Sequence, residues 1–244
     1  MFRSEQIADT PEKIFNEKKR KFFFTFIRRF PDAIELYRKY GLMSKKEGWS
    51  NVAHHCAVQA VAADTIGSLI NLNDNDRRNL SRTALYHDFY KRKSIEAMRN
   101  SQANQLEIDD SSDAAVLEIL KQENVDPKVI DLLDKSYGYD SFELEKIKKM
   151  SVSEKILSYL DHITMDDDLV PLKDRIAGLK NRYPKINDAG IARYGQPTYD
   201  QQYQAGAAIE IDLARQVGLE NPEALPIFIK TKIQERINQI TLVD

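Results

Sequence analysis

The chain has 244 residues, 42% of them hydrophobic and 30% charged, and its 9 Gly and 8 Pro fall below the roughly 12% these two contribute on average. That composition supports one sizeable core, lies far from the low-hydrophobicity corner of disorder, and disfavours turn-dense all-β and collagen-like architectures. With 36 basic and 38 acidic residues the formal charge is -2, so no global field draws the protein to duplex DNA or an acidic membrane, and no stable nucleic-acid complex is expected.

Thr10-Pro11-Glu12 marks a helix start, since Pro is tolerated in the first turn, and the pattern runs through a basic, aromatic stretch to Phe30, where Pro31 imposes a break. A second helix is predicted from Asp32 to Gly41, the usual residue for a left-handed helix end. A third spans Ser50 to Ile70, and Asn71-Leu72-Asn73-Asp74 supplies the turn and cap of a fourth reaching Lys91. These two should form an antiparallel hairpin. After a polar, loop-like stretch from Asn100 to Asp110, helices are expected over Ala114 to Gln122 and from Asp126-Pro127 to Gly138. Ser151-Val152-Ser153-Glu154 contains a cap for the run with Ile156, Leu157, Leu160 and Ile163. Pro171 to Tyr183, Tyr199 to Val217 and Asn221 to Ile240 show helical periodicity, and no sustained period-2 strand, repeat or low-complexity linker is visible. The expected architecture is a single all-α unit over 1–244, a compact multi-helix bundle.

One cysteine, Cys56, rules out an internal disulfide, and Met1-Phe2-Arg3-Ser4-Glu5-Gln6 lacks a signal-peptide core. The longest apolar run lies within Phe22 to Ile27, whereas a bilayer span needs roughly 20 residues. A cytoplasmic protein with no membrane span is expected. Lys18-Lys19-Arg20-Lys21 and Arg28-Arg29 flank the aromatics of the first helix, which reads as a core helix with a basic outer face before it reads as a membrane or RNA surface.

Chemistry concentrates on the four histidines: His54 and His55 adjoin, His87 precedes Asp88, and His162 follows Asp161. Residues facing each other in an antiparallel hairpin are symmetric about its turn, and Asn71 is the midpoint of 55 and 87. His55 shares an apolar stripe with Val58, Ala62, Ile66 and Leu69, whereas His54 shares one with Val58, Val61, Thr65 and Ser68, so His55 is the better inward-facing candidate. Asp161 lies among Leu157, Leu160 and Ile163, where an ionised carboxylate is costly unless a cation or several donors meet it. His55, His87, Asp88 and Asp161 form a mixed N/O set suited to one divalent Mn, Fe, Co, Ni, Zn or Mg ion, without the thiolates of a closed structural zinc site. Successive helical residues point about 100° apart, so His87 and Asp88 can share an ion only in a groove between helices. An isolated His-Asp pair is weak; the conjunction of hairpin symmetry and a third carboxylate is much stronger.

The order His55, His87-Asp88, Asp161, with the dyad extended as His87-Asp88-Phe89-Tyr90-Lys91, resembles the HD-domain superfamily of metal-dependent phosphohydrolases. Residues 49–56, 83–88 and 154–161 resemble that family's first, dyad and last metal helices, and the likeness covers about 45–183, flanked by helices at 10–41 and 199–240. Two-metal members carry further histidines between the dyad and the last Asp; none stands between His87 and His162, which implies a mononuclear site and points away from the cyclic-dinucleotide phosphodiesterases. The resemblance implies hydrolysis of a small phosphorylated substrate, most readily a nucleotide, with Asp88 also orienting water. Lys91, four residues after His87, lies on the same helix face, and the resemblance implies a phosphate contact there; a salt bridge to Asp88 is the alternative. Arg175 and Arg182, seven apart, could clamp phosphate oxygens or pair with nearby carboxylates such as Asp174. Asp166-Asp167-Asp168 reads as a solvated acidic loop before it reads as a Mg site. The rival function is a catalytically inactive metal- or nucleotide-binding regulatory protein, and either leaves room for a homo-oligomer.

Overall fold

Proline and cap chemistry set where the helices start in the computed structural model, which describes residues 11–40, 50–89, 115–137, 143–184, 186, 190–191 and 195–241. Helix α1 (Pro11–Ile27) ends earlier than the expected Phe30, because Phe30 leaves the helix to become the buried residue ahead of α2 (Pro31–Lys39), with Pro31 in the first turn. Helices α3 (Ser50–Leu69) and α4 (Asp74–Tyr86) form the expected hairpin. Asn71 turns the chain with φ 60, and the Asn73 side chain accepts a hydrogen bond from the Asp76 N–H. The regular turns of α4 stop at Tyr86 and residues 87–89 form a turn, so the helix is shorter than the reach to Lys91 that its pattern suggests; Lys91 lies outside the described residues.

Helix α5 (115–122) is followed by α6 (Pro127–Ser136), capped by the Asp126 side chain on the Lys128 N–H. The short α7 (Leu144–Lys149) buries only Ile147, too little for a periodic signal. Helix α8 (Val152–Ile163) begins on a reciprocal capping box between Ser151 and Glu154. A small antiparallel pair, β1 (Thr164–Met165) and β2 (Asp168–Leu169), follows with Thr164 opposite Leu169 and a turn at Asp166, φ 55. Two residues per strand are below what alternation can reveal. Helices α9 (Leu172–Arg182) and α10 (Thr198–Gln216) come next, and the expected helix over Asn221 to Ile240 is a 3-10 turn at Pro222–Ala224 leading into α11 (Leu225–Asn238).

The fold is all-α apart from that hairpin, as composition suggested. Helix α3 is its axis. Ala53, Cys56, Ala57, Ala60, Val61, Ala62, Ala63 and Ile66 are buried around its circumference, and α1, α4, α8 and α11 pack against it. The Tyr86 hydroxyl donates to Asp32 Oδ2 at 2.7 Å and that of Tyr37 to the Leu85 carbonyl, which ties α2 to the end of α4 where the His-Asp dyad begins. The buried face of α1 carries Phe22 and Phe26, while Lys18 and Lys21 donate to the carbonyls of Asn238 and Thr241, as a core helix with a basic outer face requires. No helix among the described residues is long and apolar enough to cross a membrane.

Candidate metal centre

The α3 stripe turns His55 inward and leaves its neighbour His54 exposed, so the phase argument separates the two as the structure does. Hairpin symmetry then brings His55 opposite His87, with ring centroids 5.2 Å apart. His87 follows the last turn of α4, and its side chain is only 3% exposed. Because α4 ends at Tyr86, His87 and Asp88 sit in a turn instead of on a continuing helix, and both reach the same space.

The donor atoms converge. Asp88 Oδ2 lies 3.8 Å from His87 Nε2 and 4.0 Å from His55 Nε2, and Asp161 Oδ1, arriving from α8, stands at the same two distances. Ligand atoms of His55, His87 and Asp88 all fall within 4.8 Å of one another, a group that could hold a metal ion. The outer nitrogens fix the rings: His87 Nδ1–H donates to the Ala84 carbonyl at 2.7 Å, and His55 Nδ1–H to the Asp166 carbonyl at 2.9 Å, the tautomers these acceptors require. Both Nε2 atoms thereby face the space shared with the two carboxylates. This is the outer-sphere arrangement by which metal-binding imidazoles are oriented.

Asp161 departs from expectation. Its neighbours Leu157, Leu160 and Ile163 are buried, but the Asp161 side chain is 42% exposed, because its position borders the apolar stripe instead of lying on its axis. Among the described residues the carboxylate is thus partly accessible from the α8 side.

The charges are coupled. Burial pulls the His87 imidazole down, but contact with Cys56 and the charges of Asp88 and Asp161 outweigh it and push it up to about 10. Burial and the neighbouring His87 lower His55. Desolvation of its inner oxygen would raise Asp161; the imidazoles of His87 and His55 and the guanidinium of Arg175 outweigh it and hold the carboxyl below its usual range. One proton on His87 thus offsets part of the two negative charges.

Whether these residues fit an ion can be tested on His87 Nε2, a buried atom with no hydrogen-bond partner among the described residues. A buried imidazole Nε2 with no hydrogen-bond partner is costly, and a divalent ion in the place of its proton would satisfy it and neutralise both carboxylates. The four His–Asp separations of 3.8–4.0 Å lie between the ~3.0 Å of neighbouring and the ~4.2 Å of opposite donors around an octahedral ion with bonds of ~2.1 Å, and exceed the ~3.4 Å edge of a tetrahedron, so the donors would draw in on an ion in either geometry. Two nitrogens and two carboxylates suit borderline and hard divalent ions.

Of the basic residues, Arg175 on α9 lies near enough to Asp161 to depress its pKa, and its Nε has no hydrogen-bond partner among the described residues. Arg182 is half-exposed and lies 3.9 Å from the exposed Asp166 carboxylate, a solvent-screened pair beside the hairpin turn whose carbonyl accepts from His55. Asp168 of the acidic run pairs with Lys230 at 2.7 Å, in keeping with a solvated loop. Two nearby residues escaped sequence reasoning. Tyr137 stacks on His87 with centroids 5.2 Å apart, its hydroxyl buried and without a partner among the described residues; nothing in the sequence flags a residue just past a helix end. Gln59 lies within hydrogen-bond range of His55 Nε2, and its i+4 spacing from His55 was a usable signal.

The difference between the adjacent histidines is measurable. His55→Ala is expected to weaken divalent-metal binding at least a hundredfold, and His54→Ala to change it less than twofold, because a ligand is lost in one case and a solvated ring in the other. Metal titration of both variants checks this; equal losses would shift the α3 register. Comparisons with protein-family models, with curated proteins and with solved structures found no match to this chain.

Proposed function

We propose that this chain is a metal-dependent phosphohydrolase of the HD-domain type, acting on a small phosphate ester, a nucleotide foremost, with one divalent ion held by His55, His87, Asp88 and Asp161. The observation that carries this reading is the buried Nε2 of His87, orphaned between two carboxylates while its Nδ1 is held by Ala84. The family resemblance supplies the reaction class, and the partial exposure of Asp161 gives a substrate access.

Held by His55, His87, Asp88 and Asp161, an ion would supply a water of lowered pKa and positive charge for a phosphoryl oxygen. The chain's own residues do the rest. Asp88 orients the attacking water and accepts its hydrogen bond. Arg175, beside Asp161, presents a guanidinium fork to phosphate oxygens, and Lys91 adds positive charge in the role the resemblance implies. A mononuclear centre in a cytoplasmic enzyme belongs to the same reading.

The test is a panel of nucleoside monophosphates, sugar phosphates and phosphodiesters, assayed on chelator-stripped protein with Mn, Fe, Co, Ni, Zn and Mg added separately. Metal-restored hydrolysis of a monoester class, lost in His87→Ala, is the expected result. Stoichiometric metal binding with no turnover of any ester would favour the regulatory, ligand-binding alternative.

A further inference from the structure

Gln59 is fully buried at 0% exposure, one helical turn beyond His55 on α3. Its Nε2 stands 3.1 Å from His55 Nε2 and 3.4 Å from Asp161 Oδ1, while its Oε1 is buried with no hydrogen-bond partner among the described residues. A buried amide with one end unpaired is costly. Here the paired end faces the centre.

The spacing is that of hydrogen bonds, and it also matches neighbouring donors around one ion. Donors at right angles around an ion with bonds of ~2.1 Å are about 3.0 Å apart, and the Gln59 head sits at nearly that separation from one metal-facing donor and slightly farther from another. Without a cation, an NH2 group is the right partner for the lone pairs of His55 and the Asp161 carboxylate. Beside a cation it is the wrong one, since the nitrogen offers no lone pair and its hydrogens carry positive charge. The terminal torsion of Gln is broad and roughly two-fold, so the amide can exchange its ends without moving the helix.

We infer that Gln59 is a fifth protein ligand of this centre: with an ion present the amide turns over and Oε1 takes the place that Nε2 holds. The inference rests on the four-residue centre proposed above. It makes the donor set two nitrogens and three oxygens with one position left for water, an octahedral preference that favours Mn, Fe, Co, Ni or Mg over tetrahedral Zn.

Manganese is the probe, because the relaxation of water protons counts the waters on a bound Mn ion without any turnover. Gln59→Met, which matches the volume but removes the oxygen, should weaken Mn binding roughly ten- to a hundredfold and add one inner-sphere water. Gln59→Glu, which keeps an oxygen at the same reach and adds charge, should bind Mn at least as tightly as the wild type with no added water; it serves alone if the Met variant does not fold. Unchanged affinity and water count in Gln59→Met would overturn the inference, as would weaker binding with an unchanged water count, or an added water in Gln59→Glu. Failure of the wild type to bind Mn, Co or Zn at all would instead remove the centre itself.

Discussion

Binding of a divalent ion is expected to tighten by at least about tenfold for each pH unit between roughly 6.5 and 10, with one proton released from the protein per ion across that range and any ionisation of a metal-bound water adding to it. His87 is the source of the proton: Cys56, Asp88 and Asp161 overcome its burial and push it up to about 10, so the metal-free cluster holds a proton that an incoming ion must expel. His55 is lowered and Asp161 is held low, so neither adds a second proton in this window. The linkage runs oppositely for the metal-free fold. A folded pKa above the unfolded value contributes stability that is complete below about 6.5 and is lost as pH rises through about 10, so the metal-free protein should weaken towards alkaline pH while the metal complex tightens. Calorimetry in two buffers of different ionisation enthalpy counts the proton directly. An affinity independent of pH between about 6.5 and 8.5 would show that His87 enters the site already neutral, and His87→Ala should abolish both the proton release and the metal binding.

The second large effect is on stability. Asp64→Ala is expected to destabilise the fold by about 2–4 kcal/mol, towards the upper end of single-residue effects. Asp64 is 1% exposed in the centre of α3, where its carboxylate accepts from Arg77 Nε at 3.2 Å and from Arg236 Nη2 at 2.7 Å; Arg236 also donates to Thr65 Oγ1 at 2.5 Å. One carboxylate thus ties α3 to both α4 and α11. Both arginines are partly exposed and can turn to water when released, which keeps the cost below that of stranding fully buried cations. Asp64→Asn keeps the shape and some acceptors and should lose about 1–3 kcal/mol. Denaturant unfolding with an unchanged slope would measure both, and a loss under ~0.5 kcal/mol for the Ala variant would mean the network is only a solvated surface pair. Metal binding should survive in each, since Asp64 lies away from His55 and Asp161.

The local signals in the chain were sufficient for most of the helices. Pro11, Pro31 and Pro127 start helices, Asn73, Asp126 and Ser151 cap them, and the symmetry of His55 and His87 about Asn71 is borne out in ring centroids 5.2 Å apart. These features act over one or two helical turns, or across a turn of known length, so spacing alone determines them. Only tertiary packing decided what reaches the metal-facing groove from elsewhere. Asp161 was legible as a carboxylate on an apolar helix, but its exposure depends on how α8 is rotated against α3 and α4, and a stripe of Leu and Ile specifies that rotation only to within one position. Tyr137 arrives past the end of α6, and Arg182 meets Asp166 across a hairpin of two-residue strands, so neither partner is signalled by any period along the chain. The division has a physical cause: backbone hydrogen bonding and capping are satisfied locally, whereas the surroundings of a buried polar atom are assembled by helices that meet only when the core closes.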